Sequence, residues 1–429
     1  MVKIGEKVMI ASNKLTTVKI KDLKPNKNNA RLHNDKNKHA LKSAVKHFKI
    51  LNPPMVDQNN NIIAGNLRYE VAKELGYEEI QVIQIEHLSE DDIRAFIIAE
   101  NKIAELAGWD KEILKIELQY LTDIGYDTSL TGFETAEIDL IINDVVIENS
   151  SDDDLSDISE IESRSKLGDI WQLGKHTLIN GDALNRNCYE VLFAKEKANI
   201  AFIDYPYNVP IQGNVTTKNN HKEFYQASGE MTKAEFTNFL KTAMTLQKEF
   251  STDGSIHYGC MDWKHIEEIV TAGNSVFEEL KNVCIWDKGS AGLGSLYRSQ
   301  HEMIFVYKNG TAPHVNNIQL GTYGRYRTNI WNYKGMHVSN PQAAELLKLH
   351  PTVKSTALIM DALLDCSKPN DIVLDNFAGS GSTLIAAEKV QRRARLIEID
   401  PHYCDVIIHR FEKLTGQKAE LIGNIGDNK

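Results

Sequence analysis

Asp204-Tyr205-Pro206-Tyr207 follows the mostly apolar run Asn-Ile-Ala-Phe (199–202) and Ile203. A buried strand should therefore end on the aspartate and break at Pro206, which holds Tyr205 in an extended conformation. A carboxylate, a backbone carbonyl and aromatic rings at one strand end suit a definite chemistry. The exocyclic amine of adenine or cytosine is a poor nucleophile, because its lone pair is delocalised into the ring. Two acceptors for its N–H groups draw the nitrogen toward tetrahedral geometry and aim the lone pair at an incoming methyl group. Asp204 supplies one acceptor, the Tyr205 carbonyl the second, and Tyr207 a face for a base taken out of its stack. Alone, the tetrapeptide reads equally well as a strand-end turn.

A second constellation lies downstream. Asp375-Asn376-Phe377-Ala378-Gly379-Ser380-Gly381-Ser382 follows the β-rich run Asp371–Asp375 and opens a helical stretch. Gly379 and Gly381 let the backbone approach a ligand closely. About 20 residues further on, Glu398 closes the next β-rich run, where an acid typically holds ribose hydroxyls. The loop is neither G-x-G-x-x-G nor a phosphate-gripping G-x-x-x-x-G-K-[ST]. An adenosine cofactor without phosphates, S-adenosylmethionine, fits it better than NAD or ATP.

The elements that must carry these loops are legible around them. Strand, glycine loop, helix and strand over residues 371–400 form a βαβ unit and so a parallel sheet. Residues 231–250 read as a helix opened by the Thr232/Glu235 capping box, and residues 254–260 and 301–308 as strands. Upstream, residues 15–108 read as a smaller α/β unit: a helix from residue 41, two strands around an Asn-rich turn, a helix opening near Gly65, a strand at 80–87 and a helix capped by Ser89 and Asp92. Residues 110–124 and 134–146 look helical. The stretch 149–163 is acid-rich without a basic residue and reads as a solvated linker.

Taken together, the motifs of residues 166–415 resemble those of the β-group DNA amino-methyltransferases. Their usual D-P-P-Y and D-P-F-x-G-S-G-T stand here as Asp204–Tyr207 and Asp375–Ser382. Their H-P-T-x-K-P stands as His350-Pro351-Thr352-Val353-Lys354-Ser355, and a G-D as Gly181-Asp182. The resemblance implies that Asp204, Tyr205, Pro206 and Tyr207 form the catalytic turn. It also implies that Asp375, Phe377, Gly379 and Gly381 line the cofactor cleft, with Glu398 on the ribose, Asp182 near the adenine, and Thr352 and Lys354 at the methionine carboxylate. The N-terminal unit resembles the ParB/sulfiredoxin-like domain, centred on Gly65-Asn66-Leu67-Arg68. In nucleotide-binding members the Gly and Arg of G-x-x-R serve a phosphate; the cysteine that a sulfiredoxin needs is missing here.

Three prolines of the family pattern are replaced, by Tyr205, Asn376 and Ser355. Tyr205 matters most: it keeps the carbonyl but loses the fixed φ of proline. Cofactor binding with weakened catalysis is one expected consequence. Between the two constellations, residues 320–335 interleave Arg325, Arg327 and Lys334 with Tyr323, Tyr326, Trp331 and Tyr333. That pattern suits phosphate contact and base stacking, and equally a hairpin with its aromatics turned inward. Arg298, and His221-Lys222, are further candidates for backbone contact.

The bulk properties set outer limits. The chain has 429 residues, 42% hydrophobic and 25% charged, with a net charge of −10, so DNA contact must come from local patches. No apolar run approaches the ~18 residues of a membrane span, and the N-terminus shows no leader pattern. The five cysteines form no C-x-x-C pair, which points to free thiols and no metal. The expected architecture is α/β: a Rossmann-like methyltransferase sheet (166–429, with target-recognition insertions in 208–345), a ParB-like domain (1–110), and a helical connector with acidic linker (111–165). The expected function is S-adenosylmethionine-dependent methylation of adenine N6 in double-stranded DNA, in the cytoplasm, by a methyltransferase without a fused nuclease. A second copy of the chain and a nucleotide at Gly65–Arg68 are further candidate partners. Cytosine N4 methylation, or DNA binding by a protein whose methyltransferase has decayed, are the alternatives.

Overall fold

The computed structural model describes residues 13–26, 33–143, 161, 163–208, 229–289, 296–318, 327–333 and 354–427. The chain divides into two units, residues 1–142 and 143–429.

In the first unit, β1 (Lys14–Lys19), β2 (Met55–Val56), β3 (Ile62–Ala64) and β4 (Glu79–Gln84) form a sheet in the order β1-β4-β2-β3. Helices α1 (Asp35–Phe48), α2 (Asn66–Glu74) and α3 (Glu90–Leu106) accompany it. Val56, Ile62, Ile80 and Val82 face inward and pack with Tyr69 and Ala72 of α2. The expected capping box opens α3, with both Ser89 and Asp92 engaged. Gly65 caps α2, and the Arg68 guanidinium lies against it, its Nη1 3.4 Å from where a Cβ of residue 65 would stand. Helices α4 (Lys111–Asp123) and α5 (Thr135–Asn143) bury Leu118, Ile138 and Ile142 in a small cluster of their own.

The second unit is built on a ten-stranded mixed sheet. Its elements are β5 (Asp169–Leu173), β6 (His176–Asn180), α6 (Arg186–Phe193), β7 (Ala198–Asp204), α7 (Lys233–Glu249), β8 (Ser251–Met261), α8 (Ile266–Val276), β9 (Glu279–Asp287), β10 (His301–Lys308), β11 (Ile330–Asn332), α9 (Thr356–Cys366), β12 (Ile372–Asp375), α10 (Ser382–Lys389), β13 (Arg393–Glu398), α11 (Pro401–Thr415) and β14 (Glu420–Asn424). The strand order is β11-β9-β10-β8-β7-β12-β13-β6-β5-β14. Strands β8, β7, β12, β13 and β6 are mutually parallel. They read as near-continuous apolar runs because helices cover both faces; two apolar clusters flank the sheet.

The topology fixes where chemistry belongs. From β7 the chain passes through α7 to β8 on one side; from β12 it passes through α10 to β13 on the other. β7 and β12 are neighbours, so the direction of winding reverses between them. Ligands of such sheets bind outside the carboxyl ends of the strands at this reversal. Asp204 and Asp375 are the last residues of these two strands.

Candidate active site

The carboxyl end of β7 carries a compact ion cluster. The Lys354 ammonium, 4% exposed, lies 2.8 Å from Asp204 and 2.9 Å from Glu302, and donates to the Tyr207 hydroxyl at 3.0 Å. That hydroxyl lies 3.1 Å from Asp204 Oδ1 and 3.0 Å from Glu302 Oε2. Its single proton serves one carboxylate at a time. Lys288 pairs with Glu302 from the far side. The ammonium of Lys354 also stands 5.3 Å above the Tyr207 ring and 5.8 Å from that of Trp286. Burial raises the Asp204 carboxyl above its ordinary value; Lys354 opposes this and Glu302 reinforces it. Burial acts the same way on Glu302, but Lys354 and Lys288 outweigh it and bring that carboxyl down to about 2. Asp204 keeps 24% of its side chain exposed, so it is the member of the cluster that a ligand can reach.

The turn itself is held from both sides. Asn208, at φ 48, takes the chain away in a left-handed conformation, and its side chain accepts from Gly229 and Met231 amides and donates to the Met231 carbonyl. Tyr205 turns inward. Its ring is buried 5.8 Å from that of Phe377, and its hydroxyl donates to Gln247 of α7. The phenol thus leaves the mouth of the site and does not crowd it.

The glycine loop stands beside this turn. Asp375 accepts the Phe377 amide and the Thr383 hydroxyl, yet burial dominates and pushes its carboxyl up to about 7. Glu398, at the end of β13, accepts the amides of Gly379 at 2.7 Å and Asp400 at 2.9 Å; burial again wins and places it at about 7. Gly381 has φ 82, and a Cβ there would strike Ile407 at 2.8 Å, so no other residue fits. Gly379 borders open space, where a Cβ would meet only the Phe377 carbonyl at 4.0 Å. Asp182 is half-buried, with Oδ1 on the Leu184 amide. A fixed carboxylate with lone pairs to spare beside an open backbone cradle suits a ribose. Ser355, next to Lys354, adds a buried and unpaired hydroxyl.

One expectation, on residues 327–333, is corrected. Arg327 is no phosphate-contacting surface residue: its guanidinium pairs with Asp361 at 3.0 Å and Asp365 at 3.1 Å, donates to the Tyr333 hydroxyl and stacks on Trp331. Trp331 is 4% exposed in the sheet's apolar core, so its faces are taken. The inward-turned reading of this stretch is the one that holds for these residues. Lys354, expected at a cofactor carboxylate, faces the catalytic turn, its charge already balanced by two acids. Arg298 is exposed ahead of β10. Thr352, Tyr323, Arg325, Tyr326, Lys334 and His221-Lys222 lie outside the described residues, as does most of the acidic stretch. Glu302, Lys288, Trp286 and Gln247 were not singled out from sequence. Glu302 had a signal, a lone acid at the head of the apolar run 303–307 in the strand His301–Lys308; so did Gln247, a polar residue on the buried stripe Phe236, Leu240, Ala243.

Among the described residues no group of three or more His, Cys, Asp or Glu side chains is arranged to hold a metal, and no helix is long and apolar enough to cross a membrane. The five cysteines are free, four of them buried.

A sheet reversed at β7/β12, with an amine-accepting turn on one strand and a cofactor loop on the other, defines an amino-methyltransferase class of site. Comparison with known proteins agrees. Residues 198–409 match the DNA methylase family of N6/N4 type, residues 112–167 the ParB-methyltransferase HTH domain, and residues 5–102 the ParB N-terminal domain. The chain is 24% identical over 269 residues to the type II methyltransferase M.HinfI of Haemophilus influenzae, covering 57% of this chain and 71% of that protein. It is 30% identical over 134 residues to the DNA adenine methyltransferase YhdJ of Escherichia coli, covering 30% of this chain and 41% of that protein. Among solved structures, M1.HpyAVI in complex with SAM aligns at 19% identity and TM-score 0.40, covering 54% of this chain and 97% of that one. The cytosine-N4-specific PvuII DNA methyltransferase aligns at 16% and 0.42, covering 56% and 90%. A ParB from Caulobacter crescentus complexed with CTP-gamma-S aligns at 15% and 0.27, covering 30% and 77%. The chain thus carries an S-adenosylmethionine-dependent DNA methylase domain of N6/N4 type, preceded by ParB-type domains. The helices read above as a connector fall within the HTH match.

Proposed function

We propose that this protein methylates the N6 amine of an adenine flipped out of duplex DNA. The observation that carries the reading is Asp204: a carboxylate about a quarter exposed at the end of β7, one strand from the cofactor loop. Bound S-adenosylmethionine supplies an electrophilic methyl group. Glu398 holds its ribose hydroxyls, and Gly379, Gly381, Asp375, Phe377 and Asp182 line its cleft. Asp204 accepts one N–H of the target amine and the Tyr205 carbonyl the other, while Tyr207 packs on the base. As the nitrogen gains the methyl group it gains positive charge, and the Asp204 carboxylate stabilises that charge and takes the proton the amine releases. Lys354 must withdraw from Asp204 for this, and Glu302 keeps the ammonium when it does. An aspartate leading the tetrapeptide favours adenine over cytosine, and the relative YhdJ carries that specificity in its name.

The test is product identity. Duplex DNA of mixed sequence, incubated with the protein and methyl-labelled S-adenosylmethionine, should yield label in N6-methyladenine after digestion to nucleosides. Label in N4-methylcytosine alone, or none despite measured cofactor binding, refutes the reading. In the ParB-like unit, the contact of Arg68 with Gly65 supports a phosphate site for a nucleotide; nucleotide binding unchanged in Arg68→Ala would refute it. A DNA substrate supports a cytoplasmic location.

A further inference from the structure

Two of the three prolines missing from the family pattern are replaced by residues that meet in the interior. The Tyr205 hydroxyl donates to Gln247 Oε1 at 2.8 Å, and Gln247 Nε2 donates to Asn376 Oδ1 at 2.9 Å. Asn376 Nδ2 donates to the Tyr189 hydroxyl at 2.8 Å, which donates in turn to the Ala183 carbonyl at 2.8 Å. All four side chains are buried, and every donor points the same way along the chain, so each bond polarises the next. The chain starts in the catalytic turn, crosses α7, passes through the cofactor loop and ends on the residue after Asp182. It therefore joins three of the segments expected to touch amine or cofactor: the turn at Asp204, the glycine loop and the stretch at Asp182.

The space for it is also built in. A Cβ on Gly259 of β8 would meet the Tyr205 ring at 2.8 Å, so the glycine makes room for the phenol. Asn376 packs where a proline would leave no side-chain donor or acceptor, and the Gln247 Nε2 would then lose its buried acceptor, at a cost of order 1–3 kcal/mol. Tyr205, Asn376, Gln247 and Gly259 thus form one mutually dependent set.

We propose that Gln247 is a positioning residue: its amide bridges Tyr205 and Asn376 and holds the catalytic turn and the cofactor loop in register, replacing the stiffness that prolines give elsewhere. Seating of the cofactor and presentation of the Tyr205 carbonyl are thereby coupled. The inference rests on the reading of these loops as amine and cofactor sites.

The test is a double-mutant cycle of Tyr205→Phe, Gln247→Leu and the pair. It is measured by calorimetric S-adenosylmethionine affinity and by single-turnover methyl transfer, both well below the melting temperature. Tyr205→Phe should slow transfer about tenfold and weaken cofactor binding three- to fivefold, although its ring stays in place. Gln247→Leu should do the same, and the pair should be no worse than either, as expected of groups that act as a unit. Gln247→Glu keeps the acceptor for Tyr205 but loses the donor to Asn376; it should weaken cofactor binding as Gln247→Leu does, and it serves if the leucine variant does not fold. Additive losses, or lowered melting temperatures with wild-type affinity and rate, overturn the proposal. A wild-type protein that binds the cofactor but labels no adenine overturns the functional reading instead and leaves the affinity arm of the cycle intact.

Discussion

The methylase domain holds two ion clusters made of the same parts. One surrounds Lys354 with Asp204, Glu302, the Tyr207 hydroxyl and the Trp286 ring. The other surrounds Arg327 with Asp361, Asp365, the Tyr333 hydroxyl and the Trp331 ring. Each sets a cation between two carboxylates, a phenol and an indole; the first has a second cation, Lys288, on the far side of Glu302. Their positions differ. Asp361 and Asp365 stand one turn apart on α9, a spacing that a rigid guanidinium fork grips with two nitrogens, and Asp365 is only 2% exposed. Nothing there is free to change partners. Asp204 and Glu302 come from different strands, Asp204 is a quarter exposed, and the cation is a point charge on a flexible stem. That cluster lies at the reversal of the sheet, beside an open loop. Composition does not separate a structural knot from a reactive one; place in the topology and access do.

Breaking each cluster should therefore give different results. Arg327→Met leaves two buried acids without their cation and should cost about 3–5 kcal/mol of unfolding free energy in a denaturant titration. The protein that remains folded should bind cofactor normally. Lys354→Met should act on the chemistry instead. Without the ammonium, burial and Glu302 raise Asp204 further, and a protonated carboxyl is a weaker acceptor that cannot take the proton the amine releases. Transfer at neutral pH should fall and recover as the pH rises, and a rate profile over pH, displaced to the alkaline side of the wild type, checks this. A smaller effect concerns the cofactor loop. Burial pushes Glu398 and Asp375 up to about 7, and the ionised form is the stronger acceptor of hydroxyl donors. Calorimetric affinity for S-adenosylmethionine should strengthen several-fold between pH 6 and 8, and Glu398→Gln should flatten that slope. Smallest is Trp286→Leu: losing its cation–π contact is worth about 0.5–1 kcal/mol, which should appear as a few-fold change in transfer rate.

The two clusters also show what was legible in the sequence. Asp204 and Asp375 each close an apolar run, so both strands and both turns follow from local pattern. The capping residues Ser89 and Thr232 set their helices as read. Arg327 and Trp331 misled because interleaved cations and aromatics describe a DNA-binding face and a folded-in hairpin equally well. Only the position of α9, some thirty residues on, decides between them. Glu302 and Gln247 were missed for a related reason: a polar residue in an apolar run signals a buried partner but does not name it. Tyr205 stood out as a departure from its family, and its partners Gln247, Asn376 and Gly259 come from three other segments that only the fold brings together.

The account is tested most directly by Asp204→Ala and Asp361→Ala side by side, each assayed for S-adenosylmethionine affinity and for labelled methyl transfer to duplex DNA below its melting temperature. Asp204→Ala should lose transfer by about a thousandfold or more with cofactor affinity within a few-fold of wild type, while Asp361→Ala should melt earlier yet transfer at the wild-type rate. Wild-type transfer by Asp204→Ala, or a folded, cofactor-bound Asp361→Ala that transfers nothing, would contradict it.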